Sequence, residues 1–139
     1  MDKEKLTAAA VAARAQAYAP YSKYSVGAAV LAEDGRLFTG SNIENASYGL
    51  TICAERTAVF TAVSAGVRAI VAVTVATEDG GSPCGACRQV LSEFRPRNGS
   101  EMAVYLTDRG GNIVRETTLS ELLPLAFDLE ATTTPDAVP

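Results

Sequence analysis

"AIVAVTVAT" (residues 69–77) carries no charged residue, and most of its positions are β-branched. Apolar side chains follow one another instead of alternating with polar ones. A run of this kind is too short to cross a membrane and reads as a strand covered on both faces. Such a strand sets the fold, because the sheet that holds it needs helices on either side.

The neighbouring segments supply those helices. Residues 54–65 read as a helix stopped by Gly66. Upstream, "VGAAVLAEDGRLFTG" (26–40) reads as a hairpin, strand-like over 26–32 and 36–40, with "EDG" as its turn. "SNIENASYGLT" (41–51) is a polar loop. Residues 3–17 read as a helix with a modest apolar stripe, followed by the turn-rich "APYSKYS" (19–25). Downstream, "EDGGSPCGAC" (78–87) is a loop opening a helix over residues 85–95, which stops before Pro96. "MAVYLT" (102–107) is a strand, "DRGGN" (108–112) a turn and "IVRETT" (113–118) a weak strand. "LSELLPLAF" (119–127) begins as a short helix, and residues 128–139 are expected to form a mobile tail. The expected fold is α/β: three α/β/α layers around a mixed sheet of about five strands. No repeat or linker divides the 139 residues, which suit a single domain, 1–139.

Composition narrows the function. The net charge is −4, with no basic stripe, which argues against a protein that gains affinity from nucleic-acid phosphates. No stretch is long enough to span a bilayer, and the charged, alanine-rich start lacks the apolar core of a signal peptide, so a cytoplasmic location is expected. Three cysteines, an odd number, suit reduced thiols better than a disulfide framework. The chain has no histidine. That excludes Ser-His-Asp and Cys-His nucleophilic machinery and any metal site built on imidazole.

The cysteines themselves are suggestive. "TICAERTAV" (51–59) places Cys53 two residues before Glu55 at a helix start, and "SPCGACRQV" (82–90) places Cys84 and Cys87 on one face of another. Two positive helix ends favour thiolates. Three thiolates with an open fourth position describe a catalytic zinc better than a structural one. Glu55 is then near enough to take and return the protons of a metal-activated water. Arg56 is placed to donate to the sulfurs, easing the formal −1 of zinc with three thiolates. Each piece alone is ordinary, since Cys-x-x-Cys pairs and first-turn glutamates are common. Cys-Ala-Glu followed by Pro-Cys-x-x-Cys is a specific combination.

The combination resembles the zinc-dependent nucleoside and nucleobase deaminases. It is most similar to the small, homotetrameric, three-cysteine cytidine deaminases. The blocks that carry the resemblance are "YAPYSKYSVGAAV", "GSNIENASYGLTICAERTAV", "SPCGACRQVLSEF" and "LLPLAF". The resemblance implies one zinc ion per subunit on Cys53, Cys84 and Cys87. It implies attack at C4 of a cytosine ring, with Glu55 protonating N3 and later helping ammonia leave, in pyrimidine salvage. It further implies that Asn42 and Glu44 bind the ribose 3′-hydroxyl and that the Ala54 N–H binds the pyrimidine O2. Tyr48 and Phe127 would reach a neighbouring subunit's pocket, Phe127 stacking on the base, in a homotetramer with shared active sites. Tyr24 stands in the pocket wall where the family usually has Phe, and its added hydroxyl needs a partner.

The expected activity is hydrolytic deamination of cytidine and deoxycytidine. A blasticidin S deaminase or related nucleoside-analogue deaminase is the alternative, against which "NIENASYG" and the final "AF" of the last block count. A polynucleotide-editing deaminase conflicts with the acidic charge. A closed structural zinc module would need a fourth protein ligand, and no spare cysteine or histidine exists.

Overall fold

The computed structural model describes residues 2–129. Helix α1 spans Lys3–Ala13, and its first turn is capped by the Asp2 carboxylate, which accepts from the Lys5 amide at 3.0 Å. Strands β1 (Gly27–Ala32) and β2 (Leu37–Ser41) form the expected hairpin. Then follow α2 (Ala54–Ser64), β3 (Ile70–Ala76), α3 (Gly85–Glu93), β4 (Ala103–Thr107), β5 (Ile113–Thr118) and the short α4 (Leu119–Leu122). The strands form one sheet in the order β2-β1-β3-β4-β5. Only β3 and β4 are parallel; the other neighbours are antiparallel. A parallel pair needs a crossover, and α3 supplies it.

The central position of β3 explains its unbroken apolar sequence. Val73 and Val75 pack into a core with Ala58 and Val59 of α2 and Leu91 of α3. Ala72 and Ala76 point to the other face, against Leu6 and Ala10 of α1. The three-layer reading therefore holds. Small residues bring the layers close: a Cβ on Gly40 would lie 2.5 Å from the Ala58 amide nitrogen, so β2 rests directly on the α2 backbone.

Three features depart from the sequence reading by more than a residue. The first helix, expected over 3–17, gives way to a 3₁₀ turn at Arg14–Gln16, as the chain peels off to bridge Tyr18 to Ile43. The helix expected over 85–95 ends at Glu93. The loop 41–51 contains a 3₁₀ turn, Tyr48–Leu50, and Ile43 also bridges Ile52. These bridges come from tertiary pairing, which local pattern does not encode. Residues 130–139 of the segment expected to be a mobile tail lie outside the described residues. Within them, Asp128 is paired with Arg95 and Arg97.

On α2, Val59 is fully buried while its neighbour Phe60 is 43% exposed. Among the described residues, no helix is long and apolar enough to cross a membrane.

Candidate active site

The sheet's architecture aims two helix N-termini at one point. Cys53 is the N-cap residue of α2 and Cys84 that of α3, both with extended backbone, and Cys87 follows in the first turn of α3. The Cys53 and Cys84 sulfurs are 3.8 Å apart, and those of Cys84 and Cys87 3.5 Å. All three lie within 4.8 Å of one another. Tetrahedral zinc with Zn–S bonds of about 2.3 Å requires sulfurs about 3.8 Å apart. The donor set and its spacing fit zinc.

Cys53 and Cys87 are shifted in opposite directions. Cys53 is held well below the usual thiol range by the Cys87 thiol and by Arg56, which outweigh its partial burial. Cys87 is pushed up by that same contact and by burial. Arg56 Nη2 donates to Cys53 Sγ at 3.4 Å. Its Nε is buried without a hydrogen-bond partner among the described residues. The guanidinium is held firmly charged by the Cys53 sulfur.

Glu55 is 4% exposed, and its carboxylate is not part of the three-sulfur cluster. Burial, reinforced by the charge on Cys53, pushes its carboxyl up to about 7. A carboxyl poised there can both give and accept a proton near neutral pH.

A cavity of about 290 Å³ opens over this cluster, with Glu44, Asn42, Tyr24, Ala54, Glu55 and Cys53 in its wall. Ala54 is the first residue of α2, so its amide has no partner within the helix. Both Asn42 and Glu44 are buried, and both are already engaged. Asn42 accepts from the Val26 amide at 2.9 Å and donates to the Tyr24 carbonyl at 2.8 Å. Glu44 accepts from the amides of Tyr21 (2.9 Å) and Ser22 (3.1 Å) and from the Ser22 hydroxyl. Those donors, the hydroxyl foremost, hold its carboxyl below the usual range.

The remaining residues named from sequence lie further out. Tyr48 packs edge-on to Tyr21, ring centroids 5.9 Å apart, beside a shallower hollow lined by Ser22, Glu44 and Thr51. Phe127 is 69% exposed and does not line its own chain's cavity. Gln89 donates to the Phe127 carbonyl at 3.2 Å. Sequence reading missed Ser22, Thr77 and Asp79. The polar cluster "TEDGG" before "SPC" was the available signal for the last two, but it reads only as a turn.

Residues 1–100 match the model of the cytidine and deoxycytidylate deaminase zinc-binding region. The chain belongs to this family. It is 58% identical over 132 residues to the cytidine deaminase of Sporosarcina psychrophila, covering 94% of each chain. To that of Halalkalibacterium halodurans it is 52% identical, covering 94% of this chain and 97% of the relative. Its fold superposes on the crystal structure of cytidine deaminase from Burkholderia pseudomallei with a TM-score of 0.82 at 49% identity, over 91% of this chain and all of that one. The Mycobacterium tuberculosis cytidine deaminase gives 0.77 at 42% identity, over 93% and 99% of the two chains. The deaminase family thus accounts for the sequence and the fold over nearly the whole described chain.

Proposed function

We propose that the chain catalyses the zinc-dependent hydrolysis of cytidine and deoxycytidine to uridine and deoxyuridine, releasing ammonia, in pyrimidine salvage. One observation carries this reading: three sulfurs spaced for one zinc ion adjoin a cavity whose wall holds a buried carboxyl outside the ligand cluster. Bound there by Cys53, Cys84 and Cys87, zinc supplies the Lewis acidity that makes a water nucleophilic near neutral pH.

Glu55 takes a proton from the attacking water and delivers it to ring N3 as C4 becomes tetrahedral. It then carries the second proton to the departing amine, leaving a carbonyl at C4. The Ala54 N–H is free to bind the pyrimidine O2. Asn42 and Glu44 face the sugar, and the carboxylate of Glu44 has about one lone pair beyond those its loop uses. Arg56 draws charge from Cys53. The polar pair 42 and 44 favours a nucleoside over a substrate lacking a ribose of this kind, and so disfavours the blasticidin S deaminase alternative.

The working form in this reading is a homotetramer in which Tyr48 and Phe127 complete a neighbour's site. The exposed Phe127 and Phe60 support it, since large apolar side chains left uncovered are typical of interfaces. Thiols that must stay reduced suit the cytoplasm. The test is the absorbance near the cytosine band when zinc-loaded protein meets cytidine. A steady fall with release of ammonia is expected; no fall in a zinc-replete sample overturns the reading.

A further inference from the structure

Two loops meet at the cavity mouth. The first, residues 21–24, is fastened from below by Asn42 and Glu44: the carboxylate holds Ser22, the Ser22 hydroxyl accepts from the Tyr24 amide at 3.0 Å, and Asn42 holds the Tyr24 carbonyl. Lys23 within it has a left-handed backbone, φ 60°. The second, residues 77–81, leads through Ser82 and Pro83 into Cys84. It is fastened to the far end of the sheet. Thr77 N donates to the Thr107 carbonyl at 3.1 Å, Asp79 bridges Asp108, and a Cβ on Gly80 would lie 2.3 Å from a Val114 methyl. Within this turn the Thr77 hydroxyl accepts from the amides of Gly80 (2.7 Å) and Gly81 (2.8 Å) and lies 3.3 Å from Asp79 Oδ1.

The Tyr24 hydroxyl joins the two. It donates to Asp79 Oδ1 at 2.7 Å. Gly81 leaves room for it: a Cβ there would sit 3.0 Å from the Tyr24 oxygen. Tyr24, Thr77, Gly81 and Ser82 all line the cavity, so the bond closes its wall between the sugar-side loop and the segment entering Cys84. Arg14 spans the same gap on the outer side, donating to the Ser25 carbonyl at 2.9 Å and reaching Glu78 at 3.4 Å. That ion pair is half-exposed, and such pairs contribute little.

We propose that Tyr24 is a positioning residue for nucleoside binding, which acts through its hydrogen bond to Asp79 by tying loop 21–24 to turn 77–81 and fixing the width of the pocket mouth. The inference rests on the cytidine deaminase reading. It makes Asp79 and Tyr24 a functional pair, and it assigns the hydroxyl to the protein, not to the substrate. A phenylalanine ring would fill the same wall but leave the two loops untied.

The test is a double-substitution cycle read on cytidine kinetics: Tyr24→Phe, Asp79→Ala and both together. Tyr24→Phe should raise KM about three- to tenfold, the scale of one partly exposed hydrogen bond, with kcat within about twofold of the parent. Asp79→Ala should raise KM at least as much, since it also removes the contact of the Thr77 hydroxyl, and the double variant should be no worse than Asp79→Ala alone, because the Tyr24 bond is already lost in it. Hydrogen exchange over residues 77–84 should quicken in all three, an effect visible without turnover. An inactive parent enzyme overturns the deaminase reading. An active parent whose KM is unmoved by Tyr24→Phe overturns the tie alone. So does a KM that rises with Tyr24→Phe and stays put with Asp79→Ala, since the hydroxyl then acts on the substrate directly.

Discussion

Arg56 donates to the Cys53 sulfur from one helical turn further along α2, 3.4 Å away. The i, i+3 spacing of a helix makes the contact, and Cys53, as N-cap residue, is held where the guanidinium can reach it. The contact matters because three thiolates overcompensate the charge of a zinc ion, and a hydrogen bond to sulfur withdraws part of the excess. Arg56→Ala should therefore lower turnover by about 10–100-fold, the usual cost of removing a partner of a metal ligand. Thermal stability of the zinc-loaded protein should fall less. Turnover and melting temperature of the same preparation check this; an unchanged kcat rejects the role.

Glu55→Gln should bind zinc and keep the fold, because the amide is nearly isosteric and the carboxylate stands outside the sulfur cluster. It should lose about 10²–10⁴-fold in kcat, since an amide cannot take up and return the proton. Zinc content by metal analysis and turnover on cytidine decide it. Near-normal turnover at full zinc occupancy would remove Glu55 from the proton path.

The parts of this fold that sequence made legible are those governed by one dominant local force. The run 69–77 had to be a central strand because no side of it could face water, and its Val73 and Val75 are buried as that requires. The Cys53, Glu55, Cys84 and Cys87 set was legible because helix starts place side chains predictably. Other features depended on contacts far along the chain. Asn42 and Glu44 looked like turn formers with a resemblance-based role. The loop bonds they make, to residues 16 to 23 positions earlier, are set by how the β1 approach folds over them. The partner of the Tyr24 hydroxyl lies 55 residues away, on a turn that sequence left featureless.

Glu44→Gln tests the sugar side of the cavity. The carboxylate accepts three hydrogen bonds from Tyr21 and Ser22, and a glutamine can turn only one oxygen to them, so the loop loosens and the sugar loses an anionic partner. KM for cytidine should rise about tenfold or more, with kcat changing less, because a site built to bond a hydroxyl loses affinity when its partner is altered. Steady-state kinetics read this, and equal constants reject the assignment. The sign of the pH effect is also fixed. The folded-state carboxyl is depressed by its donors, so the loop's bonds are complete above the ordinary glutamate range and lost only as pH falls through a lower value. The Ser22 amide proton signal should shift with a midpoint below that of an unperturbed glutamate.

Phe127 provides the test of assembly. In a single chain Phe127 is exposed and does not line its own cavity, yet its backbone is not loose. Gln89 holds its carbonyl, and the next residue, Asp128, is clamped by Arg95 and Arg97. An exposed aromatic ring on a fastened segment is poised to meet another surface, and the proposed one is a neighbour's substrate. If so, one site combines Glu55 of one chain with Phe127 of another. Phe127→Ala should raise KM and depress activity in every site of its own tetramer, while Glu55→Gln abolishes chemistry in its own. Co-refolded hybrids of the two should regain activity that neither parent has, because an intact ring can then serve an intact carboxyl across the interface. The readout is specific activity of hybrids separated by a charge tag on one parent. Recovery in proportion to the mixed sites is expected, and the same hybrids should bind a cytidine analogue more tightly than the Phe127→Ala parent. Verified hybrids with no gain, or full activity in a dilute monomer, would mean that each site is built from one chain.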